Sequence, residues 1–212
     1  MVSSRIYEME SDPHIILASA SPRRGELLAQ IGVRYLKIPA DLDEQIGAEE
    51  SPSDAVIRLS REKAERIWAT SDNWSMDIEG AKNGHIPVLG ADTIVVHEGK
   101  ILQKPGSREE GVEMLEQLSG ERHQVMSALS VATRSGVESA LSISNVTFRQ
   151  ISKEERGAYW ESGEPTDKAG GYAVQGLGAV FITHLEGSYS GVMGLPLFET
   201  AQLLSDAGVN LL

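Results

Sequence analysis

Cysteine is absent from the chain, which excludes a disulfide framework and any thiolate metal centre. Long apolar runs are absent as well. No segment approaches the ~18 residues that mark a membrane-spanning helix. The opening "MVSSRIYEMESDP" is polar and has no apolar signal core. A soluble, intracellular globular protein with no membrane attachment is therefore expected. Positive charge is scarce: 19 Lys and Arg stand against 31 Asp and Glu, a formal net charge of −12. A protein that grips a nucleic-acid backbone carries a basic surface, so no polymeric nucleic-acid partner is expected. A small anion in a locally basic pocket stays open. The 5 histidines show no metal-ligand spacing such as H-E-x-x-H, and no G-x-S-x-G elbow occurs.

What is present alternates between strand-like and helix-like patterns. At 212 residues the chain can bury one good core, as one domain or as two closely packed lobes. "HIILAS" reads as a strand. Ser21 is expected to cap a helix running to Gln30, with Pro22 at its first position and Gly32 as its stop. "VRYLKIPA" is a second extended run, and Ser51 and Pro52 open a longer helix to about Trp68, with Asp54 completing a capping box. The polar stretch from Thr70 to Pro87 reads as a long surface loop. "VLGADTIVV" and "KILQKP" form a hairpin, and a helix with a capping box from Ser107 to Glu110 follows. Two long strands, "HQVMSALSVAT" and "VESALSISNVTFRQI", precede a short helix from Ser152 to Glu161. The segment "GYAVQGLGAVFITHLEGSYSGVMG" reads as strands and turns, and Pro196 opens a final helix ending near Gly208. Hairpins among helices predict an α/β protein with a mixed rather than wholly parallel sheet.

The stretch "SASPRRG", residues 19–25, sets a physical problem. A helix start carries roughly +0.5 of a charge, so two arginines in its first turn are misplaced unless an anion joins them. Free backbone N–H groups at a helix start already suit an anion, and Ser19, Ser21, Arg23 and Arg24 add hydroxyl and guanidinium donors. The alternative is a surface helix whose arginines face water. Lys63 poses a second problem. It falls on the apolar stripe of Val56, Leu59 and Ile67, where a lysine either snorkels at the edge or finds a partner.

Asp92 interrupts the apolar strand "GADTIVV", where an uncompensated carboxylate is costly to bury. A three-residue loop at His97-Glu98-Gly99 sets Asp92 opposite Lys104, and a two-residue turn at Glu98-Gly99 sets Lys104 opposite Thr93. Either register brings the lysine to this strand's polar pair. "DLDEQ" supplies Asp41, Asp43 and Glu44 in a loop. Such a loop is either solvated or holds magnesium, which takes one or two carboxylates, waters and substrate phosphates. "GGYAVQGLG" follows neither the Walker nor the dinucleotide pattern, and its glycines are read as places of close backbone approach.

Together "LASASPRR", "DLDE", "RLSREKA", "GADTIV", "KP", "LSGERHQV", "DKAGGYAVQG" and "GLPL" resemble the motifs of the Maf nucleotide pyrophosphatases, in order, from about Ile15 to Gly208. The resemblance implies an elongated central sheet flanked by helices, with two lobes around a cleft as in the Maf and ITPase-like proteins. The polar stretch over 1–13 matches little and is expected to be a disordered or frayed tail, ahead of a single two-lobed catalytic domain over 14–212. The resemblance further implies a cytoplasmic homodimer that cleaves a nucleoside triphosphate to the monophosphate and pyrophosphate with a divalent cation, magnesium or manganese. Carried over by motif, Asp92 is the proton acceptor and Glu44 with Asp92 the metal partner. Ser19, Arg24, Lys63 and Lys104 hold phosphates, and Lys168 in "DKAG" is a candidate for the same role.

The chain is similar to the Maf subgroup acting on dTTP and UTP, which carries arginine, threonine and glutamine at three discriminating positions. Here these are Arg23, Thr93 and Gln175. The subgroup acting on 7-methyl-GTP has tryptophan and glutamate in place of that arginine and glutamine, which suits a cationic base. A glutamine amide instead meets both the N–H and a carbonyl of uracil or thymine. Two other readings are an inosine- or xanthosine-triphosphate pyrophosphatase and a nucleotide-binding regulator of septum formation without turnover.

Overall fold

The computed structural model describes residues 13–47, 49–70 and 86–211. The tail expected over 1–13 and the loop expected over 70–87 lie almost wholly outside these residues. The described strands form one seven-stranded mixed sheet. β1 (Ile15–Leu17) pairs in parallel with β2 (Tyr35–Lys37) and with the long β3 (Val88–His97). β3 then pairs antiparallel with β5 (Arg122–Thr133), β5 with β6 (Gly136–Phe148), and β6 with β7 (Ile182–Glu186). The short β4 (Lys100–Leu102) pairs with the far end of β3. The mixed sheet expected from the hairpin pattern is thus present.

The period-two alternation of side chains explains how both faces are filled. Ile15, Leu17, Leu89, Leu129 and Val131 point to one face, where α1 (Pro22–Gln30) and α6 (Leu197–Asp206) contribute Leu27, Leu28 and Leu204. Ile16, Val88, Ile94 and Ala128 point to the other, under α2 (Pro52–Trp68) with its Val56, Ala64 and Ile67. Farther along the first face lies a separate core. There Val95, Val125, Val146 and Phe148 meet Leu115 and Leu118 of α3 (Arg108–Leu118) and Tyr159 of α4 (Lys153–Glu161). Between these two cores the sheet presents Thr93 and Ser127, directly paired in register and joined hydroxyl to hydroxyl at 2.9 Å. Polar side chains there leave a seam between two lobes.

Several local expectations are corrected. Ser21 occupies the N-cap of α1 but makes no side-chain cap; its own N–H instead donates to Ser19 Oγ at 3.2 Å. The Ser107 hydroxyl accepts from Glu110 N, yet the Glu110 carboxylate reaches Gly106 N rather than closing the box. Asp54 likewise answers the Ser51 hydroxyl, not its backbone. The reciprocal box is at Ser152 and Glu155. The hairpin takes the two-residue turn, pairing His97 with Lys100, with Glu98 and Gly99 both at positive φ as such a turn demands. The segment read as strands and turns holds one strand, β7, with short 3₁₀ turns at Ala169–Gly171 and Leu177–Phe181 and the helix α5 (Tyr189–Met193). Runs this short carry no hydrophobic period to read. No helix among the described residues is long and apolar enough to cross a membrane.

Candidate active site

The site begins with a gap in a ladder. On one edge β3 is paired along its length by β5. On the other, β1 covers only Val88 and Leu89, and β4 only Val95 to His97. Ala91 to Ile94 therefore have no strand partner on that edge among the described residues. Because alternate side chains leave a strand on opposite faces, a cleft entering this gap meets Asp92 from one face and Thr93 from the other. Both line a cavity of about 460 Å³, into which the chain leaving β1 delivers Ser19 and the start of α1. A crevice beyond the carboxyl ends of parallel strands is where open α/β sheets commonly bind ligands.

Glycine decides how Lys63 reaches the gap. A Cβ on Gly90 would lie 2.3 Å from the Ser60 carbonyl and 2.6 Å from Ala64 N. Its absence lets α2 lie directly on β3, so Lys63 arrives beside Asp92, two residues along the strand. Lys63 Nζ is 2.5 Å from Asp92 Oδ1 and 2.6 Å from Glu44 Oε1. Lys63 is 6% and Asp92 8% exposed, so each compensates a charge the other could not bury alone. The acidic loop is held in place by Arg58 of α2, which donates to the Gln45 carbonyl at 3.0 Å and to both carboxylate oxygens of Glu50. Partial burial pushes the Glu44 carboxyl up, but the hydrogen bond and charge of Lys63, with Lys104 and Arg24 beyond, outweigh it, and the net shift is downward.

The two arginines of α1 have different fates, which answers the problem they posed. Arg24 turns inward and is 9% exposed. Its Nε donates to the Gly194 carbonyl at 2.9 Å, one terminal nitrogen to Ser19 Oγ at 2.9 Å, and the other to Thr93 Oγ1 at 3.4 Å. Burial pulls its pKa down, the Asp92 charge opposes this, Arg23 adds to it, Glu44 opposes it, and the net shift is downward. Arg23 stays at the cleft mouth, where it meets Asp167 at 3.4 Å across the seam. Asp167 also pairs with Lys168, so one carboxylate holds two of the expected ligand cations.

Lys104, exposed just past β4, lines the same cleft, as does Gln175 on the loop after Tyr172. Ser19, Arg23, Arg24, Glu44, Lys63, Asp92, Thr93, Lys104, Lys168 and Gln175 thus border one cavity, whereas Asp41 and Asp43 of the acidic loop do not line it. Sequence reasoning missed Asp167, although it stands in a quoted motif. It also missed the Gly194 carbonyl and Ser127, whose hydroxyl donates to the Gly191 carbonyl at 2.6 Å. The Thr93 hydroxyl bonds Ser127 and Arg24, so any effect of Thr93 on recognition runs partly through the arginine. Among the described residues no group of three or more His, Asp or Glu side chains converges to hold a metal.

A cationic cleft closed at one end by a buried carboxylate and lysine defines a class of protein built to receive a multiply charged anion. The chain belongs to the Maf-like proteins, whose family model matches residues 14–207. It is similar to the dTTP/UTP pyrophosphatase of Alkalilimnicola ehrlichii, 49% identical over 206 residues, covering 95% of this chain and 96% of that one. It is similar also to the protein of that name from Saccharophagus degradans, 48% identical over 95% of this chain and 92% of the relative. A third, from Methylobacillus flagellatus, is 50% identical over 92% and 93% of the two lengths.

Proposed function

We propose that this protein is a nucleoside triphosphate pyrophosphatase that hydrolyses dTTP and UTP to the nucleoside monophosphate and pyrophosphate. The observation that carries this reading is the buried Lys63–Asp92 pair, joined by the more exposed Glu44, at one end of a cleft lined by Arg23, Arg24, Lys104 and Lys168. A triphosphate needs those cations, and a protein that only bound it would have no use for the carboxylate.

In this reading the triphosphate lies along the cationic side of the cleft with its α-phosphorus near Asp92. Water attacks that phosphorus in line, its proton passes to the Asp92 carboxylate, and the bond from α-phosphorus to the bridging oxygen breaks so that pyrophosphate leaves. Lys63 holds Asp92 in one orientation. Arg24, fixed at three points, is a preorganised donor for charge developing on the phosphate oxygens. Each carboxylate gives one oxygen to Lys63 and keeps the other, and two convergent carboxylates form the oxygen donor set that magnesium or manganese accepts beside substrate phosphates. Bound there by Glu44 and Asp92, such a cation would neutralise phosphate charge and act as a Lewis acid. In the same reading Gln175 and Arg23, which line the mouth, read the base, with Gln175 donating to a carbonyl and accepting from the N–H of uracil or thymine. The homodimer implied by the resemblance belongs to the same proposal, and sedimentation of the purified protein tests it.

The deciding experiment is a nucleotide panel with magnesium or manganese, read by pyrophosphate and monophosphate release. Release from dTTP and UTP is expected. Orthophosphate with a diphosphate, turnover of inosine triphosphate alone, or tight binding without cleavage would each overturn the reading.

A further inference from the structure

Gln175 is exposed at the cleft and belongs to neither a helix nor a strand, so its aim depends on whatever fixes its backbone. Two side chains outside the cleft lining do that. The Ala173 N–H, before Gln175, donates to the Tyr159 hydroxyl oxygen at 3.1 Å. The Leu177 and Gly178 N–H groups, after it, donate to Glu164 Oε2 and Oε1, each at 2.9 Å. Tyr159 in turn donates its hydroxyl proton to Glu164 Oε1 at 2.6 Å, joining both anchors into one unit.

The glycines of "VQGLG" fit this unit closely. A Cβ at Gly176 would lie 2.0 Å from Glu164 Oε2, and one at Gly178 would lie 2.7 Å from the Tyr159 hydroxyl. The loop can settle onto the carboxylate only because neither side chain exists. Desolvation pushes the Glu164 carboxyl up. The Tyr159 hydroxyl, the Gly178 and Leu177 N–H groups and the Lys168 charge outweigh it, so Glu164 stays an ionised acceptor. Burial, then Glu164, raises the Tyr159 phenol and keeps it a neutral donor.

We infer that Glu164, together with Tyr159, is a positioning residue for substrate specificity: it clamps the 173–178 loop from behind so that Gln175 meets the base preorganised. This inference rests on the base-reading role proposed above for Gln175. Glu164 touches no substrate. Its contribution is the entropy that Gln175 no longer loses on binding and the fixed direction of one amide.

The test measures kcat and KM for UTP and CTP in wild type, E164A, E164Q, Y159F, Q175A and the double variant E164A/Q175A, with thermal unfolding of each. E164A is expected to lose roughly tenfold in discrimination of UTP over CTP, as hydrogen-bonded recognition sites do when a partner is misplaced. The loss should fall on KM for UTP far more than on kcat. E164Q keeps the volume and one acceptor oxygen, so a smaller loss in the same direction is expected, and it answers the question if E164A does not fold. The double variant should discriminate no worse than Q175A alone. Normal discrimination in E164A and E164Q beside a defective Q175A overturns the clamp and leaves the role of Gln175 standing. A fall in kcat shared equally by UTP and CTP makes Glu164 merely structural and also overturns it. Normal discrimination in Q175A removes the base-reading role, and the clamp falls with it.

Discussion

The floor and the mouth of the cleft are built by opposite methods. On the floor, Asp92 is on the central strand, Lys63 on the longest helix and Arg24 in a first helical turn, and all are at most 9% exposed. At the mouth, Gln175, Lys104 and Asp167 are exposed and sit on loops or 3₁₀ turns, where Asp167 pairs with Arg23 and Lys168 and the loop of Gln175 is held from behind. In the function proposed above, the part of a nucleotide common to all of them would face groups fixed by the core. The part that differs between nucleotides would face groups that can be exchanged without touching that core. Under that proposal chemistry and choice are separated by how deeply each is rooted in the sheet.

The comparison breaks most sharply at Asp92. D92N keeps the size and some hydrogen bonding but removes basicity and charge, and turnover is expected to fall about 10²–10⁴-fold while thermal unfolding shows a folded protein. Near-normal turnover would make the carboxylate structural. K63A tests the floor as architecture, because removing one partner of a buried pair strands the other charge, a loss of about 3 kcal/mol or more. Urea unfolding should therefore show a clear fall in stability alongside the loss of activity. An equal truncation at the mouth, Q175A, should leave stability within about 0.5 kcal/mol.

Discrimination is the next effect in size. The double change R23W/Q175E replaces a guanidinium by an aromatic face and an amide by a carboxylate. The ratio of kcat/KM for UTP over 7-methyl-GTP should fall roughly 10²-fold. An unchanged ratio would show that the base is read elsewhere.

The smallest expected effect lies under the mouth lobe. His123 is 2% exposed, with Nε2 at 2.8 Å from the Tyr172 hydroxyl and a buried Nδ1 that has no hydrogen-bond partner among the described residues. Burial, and secondarily the charge of His97, lowers its pKa from the ordinary 6.5 to about 3. The unfolded chain therefore takes up the proton first. The stabilisation is fully present above the unfolded value and is lost as pH falls from about 6.5 towards 3, a loss of about 2 kcal/mol at pH 5. Urea unfolding at pH 7 and pH 5 checks it: H123L should show a shallower acid loss than wild type, and parallel losses would refute the assignment.

The floor was legible in the sequence because charge inside an apolar pattern needs a reason. Asp92 interrupts a strand and Lys63 interrupts a helical stripe, and both are found paired. The mouth was less legible for equally physical reasons. Gln175 and the base-reading role of Arg23 came from resemblance, and Asp167 and Glu164 look like any acidic residue in a polar turn. The partners of Arg24 include the Gly194 carbonyl, and a backbone acceptor has no side-chain signature at all. Ser19 rather than Ser21 takes the first free N–H, and the same hydroxyl oxygen accepts from Arg24. The strand pattern overran α5 and the 3₁₀ turns, which are too short to display a period.

The bond from Arg24 to the Gly194 carbonyl spans 170 positions of chain, and that separation bears on when the molecule becomes competent. A growing polypeptide holds Arg24, Lys63 and Asp92 long before residue 194 exists. Until then one guanidinium of the floor lacks the carbonyl that orients it. Contacts so distant in sequence form late, after the costly closure of the intervening chain. Under the proposed mechanism catalytic competence therefore waits for residue 194, and a fragment ending short of α5 would have the acidic and basic residues of the floor without their final arrangement.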